Sequence, residues 1–103
     1  SREFIGRLYG VKAEPFVKQL MLTQPGVHHS VAHVYRDWSD AEKSGRTKDQ
    51  LHKATQSSVE DLEKQLKLAQ RAYGLASADG QRRLRTIIEV LQDYLRVCRL
   101  SMS

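Results

Sequence analysis

Two apolar stripes at helical spacing, separated by four residues of turn chemistry, constrain this chain more than any other feature. Val59, Leu62, Leu66, Ala69, Tyr73 and Ala76 recur at alternating steps of three and four. At about 100° per residue these positions share one side of a helix. Ser77-Ala78-Asp79-Gly80 interrupts the pattern, after which Leu84, Ile87, Ile88, Leu91, Tyr94, Leu95 and Cys98 line the inner face of a second helix. So short a connection predicts an antiparallel hairpin. Leu62, Leu66, Tyr73, Leu84, Ile88, Leu91 and Leu95 are expected to form one core with Trp38 packed against it.

The start of the first stripe has two readings. Ser57 and Ser58 ahead of Val59-Glu60-Asp61 resemble a helix start, with hydroxyls to cap and early acids facing the dipole. Thr47 with Gln50 resembles a capping box further upstream, followed by Leu51 and Ala54. The pattern leaves open whether one helix or two run from Thr47 to Ala76. Gly45 ends the preceding run, in which Val31, Val34, Tyr35, Trp38 and Ala41 share a face between His28 and Lys43. Nearer the start, Glu14-Pro15 opens a helix whose buried side is expected to be Phe16, Val17, Leu20 and Met21, ending at Gln24-Pro25-Gly26. Phe4, Ile5, Leu8 and Tyr9 suit one turn ahead of Gly10. No alternating strand pattern bounded by hairpin turns occurs. The expected fold is all-α: a compact bundle of about four main helices with a C-terminal antiparallel helical hairpin and a short N-terminal appendage. Residues 1–103 form a single helical domain, with 1–12 peripheral.

Composition narrows the classes. At 103 residues, 40% hydrophobic and 28% charged, the chain has the make-up of one globular domain. No apolar run approaches the roughly 20 residues of a membrane span, and no basic start leads into an apolar secretory stretch. A start at serine suggests a processed product or a piece of a larger protein. The one cysteine, Cys98, excludes an internal disulfide framework and a multi-cysteine zinc site. It suits a reducing compartment, and we expect an intracellular protein, cytoplasmic and nuclear placement being equally compatible.

Chemistry-bearing constellations are few. His29, His33 and Asp37 stand at successive i+4 positions with Asp40 beside them, a geometry that suits a divalent metal. A solvated polar face explains them better, because Val31, Val34 and Trp38 lie nearly opposite. We therefore expect no metal and no cofactor. Cys98 sits on the apolar seam, where burial keeps a thiol protonated and inert. There is no nucleophile elbow, phosphate-cradling loop or metalloprotease helix motif. An enzyme is not expected.

Surface patterns carry more. Lys64, Lys67 and Arg71 form one stripe away from the Leu62/Leu66 seam, and Arg82, Arg83 and Arg85 crowd the start of the last helix. With 17 Lys plus Arg against 12 Asp plus Glu, these six form a candidate polyanion site. Cations at a helix start oppose its dipole, so that cluster has a local cost unless something compensates. The competing expectation places Lys64 and Lys67 level with Asp93 and Glu89, whose carboxylates would absorb their charge. Aromatics that could stack on bases are few, and Tyr73, Tyr94 and Trp38 project toward the expected core.

A second apolar stripe flanks each long helix. Val90 and Val97 are expected to pack internally. Leu68 and Leu75, with the small Ala72 between them, either meet a partner or are covered by Phe16, Leu20 and the Phe4/Ile5 turn. The favoured function is a non-enzymatic helical protein–protein interaction or oligomerisation domain that binds a protein partner or itself through Leu68, Ala72 and Leu75. The alternative is a basic nucleic-acid-binding accessory domain.

Overall fold

The structure is a computed structural model that describes residues 2–23, 45 and 47–102. These residues are all-α, with four helices and no strand among them. Helix α1 spans Arg2–Tyr9, α2 is described over residues 14–23, α3 spans Lys48–Leu75 and α4 spans Ala78–Met102. The expected helix of residues 28–43, with Trp38, lies outside the described residues.

Helix α3 is one continuous rod of 28 residues, about 42 Å long. Its start is the Thr47 capping box, in which the Gln50 N–H donates to Thr47 Oγ1 at 3.2 Å and the Thr47 N–H donates to Gln50 Oε1 at 2.9 Å. The expected start at Ser57 and Ser58 is thereby corrected. Ser58 is buried in mid-helix, and its hydroxyl donates to the Ala54 carbonyl one turn back. Thr55 does the same to Leu51 at 2.8 Å. A serine that can bond its own helix has no need to begin one.

Helices α3 and α4 pack as the antiparallel hairpin, with Leu62, Leu84, Leu91 and Leu95 buried and Leu66, Tyr73 and Ile88 half-buried around them. Helix α2 completes the core through Val17 and Leu20, joined by Ala13 from the turn that precedes it. Its expected buried side shifts accordingly: Met21 is exposed and Phe16 is half-buried, because Ala13, Val17 and Leu20 carry the i, i+4, i+7 stripe. On α3, Ala69 and Ala72 are fully buried, and their short side chains leave room for the neighbouring core.

The tip of the hairpin is closed by backbone. Ser77 uses three groups at once. Its N–H donates to the Tyr9 carbonyl at 2.9 Å, its carbonyl accepts from the Gln81 N–H at 2.8 Å, and its Oγ accepts from the Gly80 N–H at 3.1 Å. The connection is therefore only Ala76-Ser77, and Ala78-Asp79-Gly80 belongs to the first turn of α4 under a serine cap. Two glycines make the docking of α1 possible. A Cβ on Gly80 would lie 2.7 Å from the Tyr9 Cα and carbonyl oxygen. Gly10, with φ of 97°, turns the chain where a Cβ would meet the Ser77 nitrogen at 3.1 Å. Ile5 and Tyr9 anchor α1 in the core.

Candidate functional site

The α2 and α3 helices run antiparallel along the flank of the hairpin, with Phe16 beside Arg71 and Thr23 beside Gln65. Between them lies an open groove of about 840 Å³. Phe16, Gln19, Leu22 and Thr23 line it from α2, and Asp61, Lys64, Gln65, Lys67, Leu68 and Arg71 line it from α3. Its apolar surface comes from Phe16, Leu22 and Leu68, of which Leu22 is 75% exposed.

One flank is cationic because of helical spacing. Lys64, Lys67 and Arg71 follow one another at i, i+3 and i+7, so they project from one side of α3. None of the three has an ion-pair partner among the described residues. The Arg71 guanidinium instead stands over the Phe16 ring, 5.3 Å from its centroid, a cation–π contact that fixes the α2 end of the groove.

Gln65 sits at the base of this groove with 2% of its surface exposed. Its amide nitrogen donates to Thr23 Oγ1, and that hydroxyl bonds back to the Gln19 and Leu20 carbonyls at 3.2 and 3.1 Å. Its Oε1 has no donor among the described residues. An unmet buried acceptor costs on the order of 1–3 kcal/mol, so this side chain is an unfavourable choice for packing alone.

The residues singled out from the sequence are thus redistributed. Leu68 joins Lys64, Lys67 and Arg71 in one groove, uniting part of the partner strip with part of the polyanion set. Ala72 is fully buried within the chain itself and presents no outer surface, which corrects its expected place at an interface. It lies farther round α3 toward the core than Leu68 does. Leu75 is 38% exposed and does not line the groove. Val90 and Val97, expected to pack internally, are exposed with Leu100 on α4.

Two of the three cations at the start of α4 have local partners. Arg82 pairs with Asp79 at 3.1 Å, which supplies the compensating acid in the first turn. Arg85 donates to the Tyr73 hydroxyl at 3.2 Å, while Arg83 is exposed without an ion pair among the described residues. The expected pairing of Lys64 and Lys67 with Asp93 and Glu89 does not form. Asp93 binds Arg96 at 2.7 Å, and the ion pair bridging α3 and α4 among the described residues is Arg99 with Glu63 at 2.9 Å. Glu63 is turned toward α4, whereas Lys64, one residue and 100° onward, faces the groove.

Cys98 is buried on the α4 seam, and desolvation pushes its thiol pKa up. Among the described residues no cluster of three His, Cys, Asp or Glu is placed to hold a metal, and no helix is long and apolar enough to cross a membrane. His29, His33, Asp37 and Asp40 lie outside the described residues. Groove formation was invisible in the sequence, but the pair Gln65 and Leu68 carried a signal: a polar residue on the core side beside an apolar one outside the seam. No family model matches this chain, and neither a curated protein nor a solved structure matches it.

Proposed function

We propose that this chain is a non-enzymatic helical interaction domain, acting inside the cell as an adaptor or self-association module. The observation that carries the proposal is the α2/α3 groove, where Phe16, Leu22 and Leu68 leave apolar surface open beside a closed core. Apolar surface ringed by polar groups is the usual anatomy of a protein contact. Leu68 is the residue on which the contact turns.

Leu68→Asp tests this reading. Sedimentation velocity measures self-association, and crosslinking in a nuclease-treated extract measures partner capture. Loss of either, with helicity and melting retained, supports the interaction domain. Unchanged association and capture in a folded variant sinks it.

A second reading, polyanion binding, is favoured by Lys64, Lys67 and Arg71, which have no ion-pair partner among the described residues. It requires binding to RNA, DNA or anionic vesicles that falls steeply with salt. Lys64→Glu with Lys67→Glu should then weaken binding without unfolding the bundle, and absence of binding at low salt removes this reading.

A further inference from the structure

Resting on the interaction reading, we propose that the α2/α3 groove receives an acidic amphipathic helix of about three turns from a protein partner. Its apolar face seats on Phe16, Leu22 and Leu68, and its carboxylates face Lys64, Lys67 and Arg71. Three observations select this occupant.

The first is charge. No carboxylate among the described residues pairs with the three cations, so among those residues their charge is directed to the groove. Among the described lining residues Asp61 is the acid, one turn before Lys64, so this lining is basic toward Arg71 and acidic toward Asp61. A bound helix is thereby oriented, with its acids toward Arg71 and a neutral or basic residue beside Asp61. From Asp61 to Arg71, α3 rises about 15 Å, which sets the three-turn length.

The second is backbone chemistry. Both walls are helices whose main-chain groups bond internally, so the groove offers no ladder to an extended peptide. An occupant must close its own backbone hydrogen bonds, and a helix does so. A nucleic-acid base gains less here, because Arg71 already occupies a face of the Phe16 ring.

The third is Gln65. It is nine-tenths buried at the groove and its Oε1 lacks a donor among the described residues. That oxygen is closed to solvent in the free chain, so the Gln65 amide turns toward the groove to meet a hydroxyl or amide donor on the seated face of the visiting helix.

The test is a selection from a displayed library of random 14-residue helical peptides against the full chain, followed by fluorescence anisotropy of the enriched peptides. The expected winners carry an apolar stripe with Glu or Asp along one edge. Their affinity should fall at least tenfold in Lys64→Glu/Lys67→Glu and decline with added salt. Leu68→Asp should abolish binding; should that variant unfold, Leu68→Ser replaces it, and the exposed lysine pair supplies a readout that leaves the core untouched.

Enrichment of neutral or basic peptides, or winners indifferent to the lysine reversal, overturns the proposal. So does tighter groove binding by poly(U) RNA or by oleate, each of which identifies a different occupant. If acidic preference fails while Leu68→Asp still abolishes self-association or partner capture, only the acidic-helix assignment falls. If no peptide is enriched and the chain neither self-associates nor captures a partner, both readings fall.

Discussion

The N-terminal part of the chain meets the hairpin in two places, and the two contacts are built in opposite ways. At the tip, α1 touches backbone to backbone: the Tyr9 main chain lies against Gly80, and its carbonyl takes the Ser77 N–H. No side chain separates the two segments, and Ser77 has its N–H, carbonyl and hydroxyl all bonded. Along the flank, α2 meets α3 through side chains of unequal length, leaving a groove and one unmet acceptor. Closure by backbone specifies a single geometry, whereas closure by side chains leaves surface that a further molecule can use. The tip therefore serves architecture, and the flank is where we propose recognition.

The largest expected disruption lies in the core common to both regions. Leu62→Ala removes a fully buried side chain and should cost about 2–5 kcal/mol, read from urea denaturation. A cost below about 1 kcal/mol would mean the hairpin seam is loosely packed. Next comes the tip, where the sign is diagnostic. Glycine to alanine inside a helix ordinarily stabilises by about 0.5–1 kcal/mol. Gly80→Ala should instead destabilise by about 1–3 kcal/mol, because the new methyl meets the rigid Tyr9 main chain. Stabilisation there would show that α1 undocks easily, and the contrast between tip and flank would dissolve.

Ser77→Ala follows, at about 0.5–2 kcal/mol, through loss of the cap on the Gly80 N–H. Smallest is Gln65→Met on the flank. It loses the bond to Thr23 but also removes the orphaned Oε1, so the free chain should change by less than about 1 kcal/mol. A much larger loss would move Gln65 from the recognition side of the comparison to the structural side.

Cys98 gives a pH-dependent readout of the same core. Its thiol pKa is raised in the fold by burial, so the protonated form is favoured there. Stability from this group is complete below the ordinary thiol range and is lost as pH rises through the native value. Above about pH 8.5 the unfolded chain releases a proton that the native chain keeps. The stability decline in that window should be shallower in Cys98→Ala, as measured by denaturation at a series of pH values.

Local rules were readable wherever partners were close in sequence. The Leu62/Leu66 and Leu91/Leu95 stripes gave the hairpin, and the Thr47–Gln50 capping box stands as the spacing indicated. The reading failed where the same residue types have two local uses. Ser58 looked like a cap and instead bonds the Ala54 carbonyl, a choice decided by whether the upstream turns stay helical. It failed again where register decides. Which carboxylate reaches which cation depends on the offset between α3 and α4, and Glu63–Arg99 replaced the anticipated lysine pairs. The groove was legible only in halves: Leu68 and the Lys64 stripe were both visible, but what joins them is the path of α2, set by tertiary packing. Ala72 was assigned to the open strip because it lies between Leu68 and Leu75 in sequence, although its direction around α3 carries it into the core.

The contact between Thr23 and Gln65 joins positions 42 residues apart, and Tyr9 waits even longer for Ser77. Ribosomes add about 5–20 residues per second, from the N-terminus onward. Helices α1 and α2 therefore emerge seconds before the rod they lie on exists. Val17, Leu20 and Tyr9, all buried in the finished fold, are in the meantime without the hairpin against which they pack. The α3–α4 hairpin is built from contacts nearer in sequence, so burial of the earlier helices waits for the part of the fold that is made last and closes most locally.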